Sequence, residues 1–281
     1  MVNIKRNPAL IIAIAIALGL FIAAAGVFPW SVVAQLNARL WPRVPWCVPV
    51  GLVWLALFWT YLTGRGWPRS TAQNRKQLLR ARPLHGPAAT WVCIAGATGL
   101  VTLVTLYFLA IQFVNLPADT FRPLSVAAVS LGLILPIMIM NAIVAGVAEE
   151  AAYRGYMQGM LERRFSATVA VALVTIVFTG LHLLGGTKTL ALAVPVCATS
   201  IVLGALTAIT QSIVPAIVVH VLADTVTLPF EWGLLGWLPV GRFQSNGIDT
   251  LFVAAVVLVG VGSIATVAAF LRLYRIVQAK S

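Results

Sequence analysis

The chain has 281 residues, of which 60% are hydrophobic and 9% are charged, and its formal net charge is +12. Soluble domains carry about 25% charged residues, so this composition nearly excludes a soluble globular protein and indicates a polytopic membrane protein. The positive charge does not imply a nucleic-acid partner, because the basic residues lie in loops and at the termini, where an excess of Lys and Arg on the cytoplasmic side is normal for membrane proteins.

About eight apolar segments are candidates for membrane spans, since a helix needs about 20 residues to cross the hydrocarbon core. In chain order they lie near residues 9–33, 46–63, 90–115, 124–148, 167–184, 190–209, 213–229 and 249–273. Lipid offers no partners for open backbone groups, and the segments are too long for barrel strands. The sequence therefore predicts an all-α membrane protein of about eight helices.

The basic residues also predict the orientation of these spans. With a cytoplasmic N-terminus, thirteen basic residues lie on the inner side and five on the outer side, and Arg154 is left out as intramembrane. This excess favours cytoplasmic N- and C-termini. The first apolar run, from Pro8 to Trp30, is longer than the 7–15 residues usual in a signal peptide, so we expect it to remain as a span. The predicted location is the plasma membrane.

One long polar connection divides the chain. Residues 1–64 form a predicted N-terminal helix pair, 65–89 a basic cytoplasmic loop, and 90–281 a six-helix remainder. The six basic residues of the loop favour contact with anionic headgroups. In the remainder, Gly155 and Gly159 form a GxxxG pattern, which lets a neighbouring segment approach a helix closely.

Six ionisable residues lie inside or beside the apolar spans of the remainder. Glu149 and Glu150 follow 26 residues (123–148) without a charge. A charge at mid-bilayer costs about 2.5–3.5 kcal/mol on insertion scales, so such residues indicate a functional site. The full set is Glu149, Glu150, Arg154, His182, His220 and Asp224.

Helical spacing predicts which of these residues are neighbours. Glu150 and Arg154 are four residues apart, as are His220 and Asp224, and such pairs share a helix face. Glu149 points about 100° away from Glu150, so we expect Glu150 to face Arg154 and Glu149 to face the bundle interior. If the chain turns near 163–166, an antiparallel hairpin would bring Glu149 beside His182.

Carboxylates and imidazoles in a water-accessible pocket suit hydrolysis. A carboxylate in a low-dielectric site can take a proton from water near neutral pH. Imidazoles can hold a metal or stabilise an oxyanion, and a catalytic zinc uses three protein ligands and one water. Two other uses remain open at this point, because two histidines can ligate haem in an electron carrier and buried carboxylates can relay protons in an ion transporter.

Three motifs resemble those of the CAAX prenyl endopeptidase type 2 family, also called the CPBP or ABI intramembrane proteases. That family has EExxxR, FxxxH and HxxxN or HxxxD on successive membrane helices. Here they are Glu149–Arg154, Phe178–His182 and His220–Asp224, in the same order. The resemblance covers about 125–228 and implies an eight-helix fold, a site open to the cytosol and hydrolysis of a peptide bond near the membrane-anchored end of a lipidated protein or peptide, such as a prenylated CAAX substrate.

The resemblance also implies roles for the six residues. Glu149 would activate water with help from His182, His220 and Asp224 would bind metal or support the tetrahedral intermediate, and Glu150 and Arg154 would complete the site. The implied metal is divalent, with zinc as the candidate, and its ligands would be Glu149, His182, His220 and Asp224. The family often has Asn at the position of Asp224. An acid there favours a ligand role over an oxyanion-binding role. A mechanism in which glutamate alone activates the water is the alternative.

Relatives with this fold are also linked to self-immunity and abortive infection. A binding or immunity module without catalysis is therefore a second functional hypothesis, and the complete motif set argues against it.

Overall fold

A computed structural model describes residues 7–114, 131–185, 190–232 and 240–279 of the chain. Within these ranges every regular element is a helix, and no strand occurs. The all-α prediction is therefore confirmed. The orientation of the two termini stays a prediction, as does the division into 1–64, 65–89 and 90–281.

The helices follow one another with short connections. They are α1 (Pro8–Leu40), α2 (Cys47–Leu62), α3 (Ala72–Leu79), α4 (Pro87–Ile111), α5 (Leu131–Glu149), a π-helix (Glu150–Met157), α6 (Gln158–Leu161), α7 (Ala167–Gly185), α8 (Leu190–Thr210), α9 (Val214–Glu231), α10 (Arg242–Asn246) and α11 (Thr250–Gln278).

Seven helices of the described ranges are long and apolar enough to cross a membrane, and α5, the π-helix and α6 together count as one of them, Gly132–Leu161. The second predicted span is the shorter apolar helix α2, with 16 residues. At 1.5 Å per residue α2 is about 24 Å long, less than the hydrocarbon core of about 30 Å. The predicted span 124–148 is described only from residue 131 onward, since 124–130 lie outside the described residues.

The chain forms two compact units, Met1–Arg82 with Pro123–Val174, and Pro83–Arg122 with Thr175–Ser281. In the first unit, α1 packs along α5 and the π-helix through glycines. A Cβ added at Gly26 would lie 2.4 Å from Ala148 Cβ, and one at Gly19 would lie 2.5 Å from Met157 Cε. Since Ala148 precedes Glu149, α1 supports the backbone that presents the glutamate pair.

We expect Gly26→Leu to lower the free energy of unfolding by about 1–3 kcal/mol, because extra carbons in a packed contact force the helices apart. Gly260→Leu is the matched control, since a Cβ at Gly260 in α11 meets nothing within 4 Å. Thermal unfolding in detergent measures the difference. Equal melting temperatures for the two variants would contradict the close contact between α1 and α5.

The second unit is built around α4, which packs against α8, α9 and α11. Thr102 of α4 and Thr266 of α11 are hydrogen-bonded through their hydroxyls at 3.2 Å. A Cβ at Gly96 would lie 3.1 Å from Val219 Cγ2 on α9. The core of this unit contains Val92, Ala95, Leu203, Leu206, Ala216, Val219, Ala269 and Leu273. His220 follows Val219 directly, so the packing of α9 on α4 fixes its backbone.

The basic loop is partly folded into the first unit. It contains a 3₁₀ turn, Arg69–Thr71, and helix α3. Arg75 and Arg80 are each only 5% exposed. The expectation that the loop as a whole lies on lipid headgroups is therefore wrong for these two residues, because their guanidinium groups bind protein carbonyls instead. The other four basic residues, Arg65, Arg69, Lys76 and Arg82, are exposed.

Candidate active site

The glutamate pair lies at a change in helix type. Glu149 ends α5, and Glu150 begins the π-helix that runs to Met157. The Gln158 N–H donates to the carbonyl of Tyr153, five residues earlier, and to that of Gly155. π-helical turns are rare and are frequent at functional sites. The sequence analysis assumed regular α-helical spacing here, since no simple residue pattern distinguishes the wider turn.

Glu150 and Arg154 form a buried ion pair. Arg154 Nη1 donates to Glu150 Oε1 at 2.9 Å, and both side chains are fully buried. The predicted pairing is thus present despite the change in helix type. Glu149 is only half-buried. The two adjacent carboxylates therefore differ in environment, as one is enclosed with a cation and the other is partly accessible.

His182 is oriented by its own helix. Its Nδ1 lies 2.8 Å from the carbonyl oxygen of Phe178, and the two rings are 4.2 Å apart between centroids. A carbonyl oxygen only accepts, so Nδ1 bears the proton, and Nε2 is the acceptor nitrogen of the neutral ring. This arrangement, with one nitrogen bound to a backbone carbonyl, is the usual way in which proteins fix the tautomer of a metal-binding histidine.

His220 and Asp224 lie one turn apart on α9. His220 Nε2 is 3.7 Å from Asp224 Oδ2, and the His220 and Asp224 side chains are 9% and 27% exposed. The predicted sharing of one helix face is confirmed. An imidazole nitrogen and a carboxylate oxygen at this separation are the donor types that zinc takes in proteins, so the pair fits the implied metal chemically.

The six predicted residues are divided between the two units. Glu149, Glu150 and Arg154 belong to the first unit, and His182, His220 and Asp224 belong to the second. Within either unit alone, the described residues contain no group of three or more His, Cys, Asp and Glu side chains placed to hold a metal ion. The predicted ligand set draws on both units, and its convergence at one centre stays a prediction.

One acidic residue near this set was missed by the sequence analysis. Glu231 is the last residue of α9 and lies beside Thr227 and Tyr107 of α4. It follows Asp224 by seven residues, which is about two turns and therefore the same helix face. The predicted span ended at residue 229, so Glu231 was counted as a loop residue. Its seven-residue spacing from Asp224 was the available signal.

The comparison with family models agrees with the motifs. Residues 131–226 match the model described as type II CAAX prenyl endopeptidase, Rce1-like. This segment is about a third of the chain and contains all six predicted site residues. No significant match was found among curated proteins or solved structures.

The match confirms the family resemblance and indicates a membrane-bound protease, as the apolar helices and the polar residues within them also indicate. Since only 131–226 are matched, the statement applies to that segment. We identify residues 131–226 as a region of the Rce1-like type II CAAX prenyl endopeptidase type.

Proposed function

We propose that the protein is an intramembrane endopeptidase that hydrolyses a peptide bond of a membrane-anchored substrate at a site open to the cytosol. The observation that carries the proposal is the unequal environment of the glutamate pair. Glu150 is fully buried and bound to Arg154, whereas Glu149 is half-buried. Glu150 is thereby suited to structure, and Glu149 to contact with water and substrate. The family match of residues 131–226 supports the reaction class.

In the proposed reaction Glu149 takes a proton from a water molecule, and the resulting hydroxide attacks the scissile carbonyl carbon. The new C–O bond gives a tetrahedral oxyanion. Collapse of that intermediate breaks the C–N bond, and Glu149 returns its proton to the leaving amine. His182 accepts a hydrogen bond through Nε2, which suits it to orient the water. The products are a new carboxyl terminus and a free amine.

The donor set also fits a divalent metal, with Glu149, His182, His220 and Asp224 as the proposed ligands. The neutral His182 ring and the neighbouring His220 and Asp224 atoms supply the nitrogen and oxygen donors that zinc prefers. When bound, such an ion lowers the pKa of its water and polarises a carbonyl. Asp224, with its negative charge, suits a ligand role better than the amide of Asn.

Substrate choice is tested with three forms of one peptide in proteoliposomes. One has a farnesylated C-terminal CAAX cysteine, one has a transmembrane anchor, and one is unmodified. We expect cleavage of an anchored form well above the unmodified one, because anchoring raises the local concentration of the peptide at the site. Mass spectrometry of the products locates the cut. Cleavage of none of the three above the level of a Glu149→Gln variant would contradict the proposed function.

The metal proposal has its own prediction. We expect His182→Ala and His220→Ala to weaken zinc binding at least by the roughly 10–100-fold that loss of a group orienting a ligand costs. His85→Ala is the control, since His85 is the remaining histidine and lies exposed in the basic loop. Elemental analysis of the detergent-purified proteins measures the bound metal without any activity assay. Equal metal content in all four proteins would contradict the ligand assignment.

A further inference from the structure

The C-terminal end of α3 lies against the π-helix at two glycines. A Cβ added at Gly155 would be 3.4 Å from the Leu79 Cα, and one at Gly159 would be 3.3 Å from the Leu78 carbonyl oxygen. Leu78 and Leu79 are themselves buried. The GxxxG pattern therefore admits the backbone of the basic loop to the helix that bears the glutamate pair.

Arg80 follows directly and extends into this contact. It is 5% exposed, and its backbone has the left-handed conformation, φ 53° and ψ 33°, that ends α3. Such a conformation is uncommon for residues other than Gly, Asn and Asp. Its guanidinium forms an ion pair with Glu162 and donates through Nη2 to the carbonyl oxygen of Arg154 at 2.5 Å. Glu162 is also held by Gln158 Nε2 at 2.8 Å.

The carbonyl that Arg80 binds is one whose regular partner has been diverted. In an α-helix the Gln158 N–H would donate to the carbonyl of Arg154, four residues earlier. Here that N–H donates to the carbonyls of Tyr153 and Gly155 instead. Arg80 therefore supplies a charged donor at the place where the wider turn departs from the α-helical pattern, and a buried carbonyl needs such a donor.

Burial and charge agree with a permanent role for this contact. Burial lowers the pKa of the Arg80 guanidinium, and the carboxylate of Glu162 opposes that shift. Arginine has so high an unperturbed pKa that it stays protonated in proteins. Its planar group can bind two acceptors at once, here Arg154 O and the Glu162 carboxylate.

We propose that Arg80 is a positioning residue for the glutamate pair: it stabilises the wide turn of the π-helix from the basic loop and so sets the direction of Glu149. The inference rests on the proposed function for its kinetic consequence. Arg80 acts through the backbone of Arg154, whose side chain binds Glu150, the neighbour of Glu149. A displaced turn would move Glu149 without removing any group that touches substrate.

Arg75 provides a matched control within the same helix. It is as buried as Arg80, at 5% exposure. Its guanidinium donates to the carbonyls of Tyr61 at 2.9 Å, Gly66 at 2.7 Å and Pro68 at 3.1 Å. These acceptors belong to the end of α2 and to the loop itself. A substitution at Arg75 therefore tests the folding of the loop without removing the bond to Arg154.

The test compares Arg80→Asn, Arg80→Lys and Arg75→Lys in the full chain. Asn tolerates the left-handed backbone of residue 80 and lacks the guanidinium. We expect Arg80→Asn to lower kcat by about 10- to 100-fold, the size of effect that a misplacement of about 1 Å produces, with KM within about twofold of wild type. Arg80→Lys should be intermediate, because it keeps the charge, and Arg75→Lys should keep the wild-type kcat.

A second measurement is independent of proteolysis. Hydrogen exchange of the amides in 150–159 should become faster in Arg80→Asn and stay unchanged in Arg75→Lys. Unchanged exchange and kcat in Arg80→Asn, or equal losses in Arg75→Lys, would overturn the proposal. If the wild-type protein cleaves no substrate, the proposed function fails, and the exchange data alone still decide whether Arg80 holds the turn.

Discussion

Glu149→Gln is expected to lower the rate of peptide cleavage by about 10²–10⁴-fold, the usual contribution of a general base. Glutamine has nearly the size of glutamate and retains a carbonyl oxygen, so it can still accept a hydrogen bond from water. It cannot take up the proton. The half-buried position of Glu149 predicts that the neutral side chain is tolerated, and the melting temperature should stay close to that of wild type.

The informative comparison is with Glu150→Gln, one residue away. That substitution removes the charge that Arg154 Nη1 binds at 2.9 Å in a fully buried pair. We expect it to lose stability as well as activity, whereas Glu149→Gln loses activity alone. Rates are compared per folded molecule at saturating substrate, with melting temperatures from the same preparations. A Glu149→Gln protein that cleaves at the wild-type rate would exclude Glu149 as the base.

Much of the fold followed from local properties of the sequence. Hydropathy and length located the membrane helices, since each span must satisfy its own backbone. The helical period paired Glu150 with Arg154 and His220 with Asp224, and both pairs are observed. The predicted hairpin is present too, because α6 ends at Leu161 and α7 begins at Ala167.

The features that sequence reasoning missed depend on contacts between distant segments. The π-helix needs a donor for the Arg154 carbonyl, and that donor, Arg80, is 74 residues away in the sequence. The burial of Arg75 likewise depends on carbonyls of the folded loop and of α2. A basic loop with six charges indicates a lipid surface by composition alone, and composition cannot show which arginines find acceptors inside the protein.

The largest effect on stability is expected from Arg154→Met. Removing one partner of a buried ion pair leaves the other charge without compensation and costs about 3–5 kcal/mol. Arg154 is fully buried, as is Glu150, so solvent has little access to the carboxylate that remains. Arg242→Met is the matched control, because the Arg242–Asp249 pair has a similar separation, 2.8 Å, and is partly exposed, at 36% and 21%. Its loss should be much smaller.

A double-mutant cycle separates the ion pair from the packing around it. Replacing both partners of a buried pair by apolar residues of similar volume is often neutral for stability, so we expect Glu150→Leu with Arg154→Met to recover most of the stability that Arg154→Met loses. Unfolding in detergent of the wild type, the two single variants and the double variant gives the coupling energy. A double variant as unstable as Arg154→Met would show that Arg154 acts by packing. If the double variant regains stability but not proteolysis, the Glu150–Arg154 pair is needed to hold Glu149 in its productive direction, because the helix then folds without the charges that fix its turn.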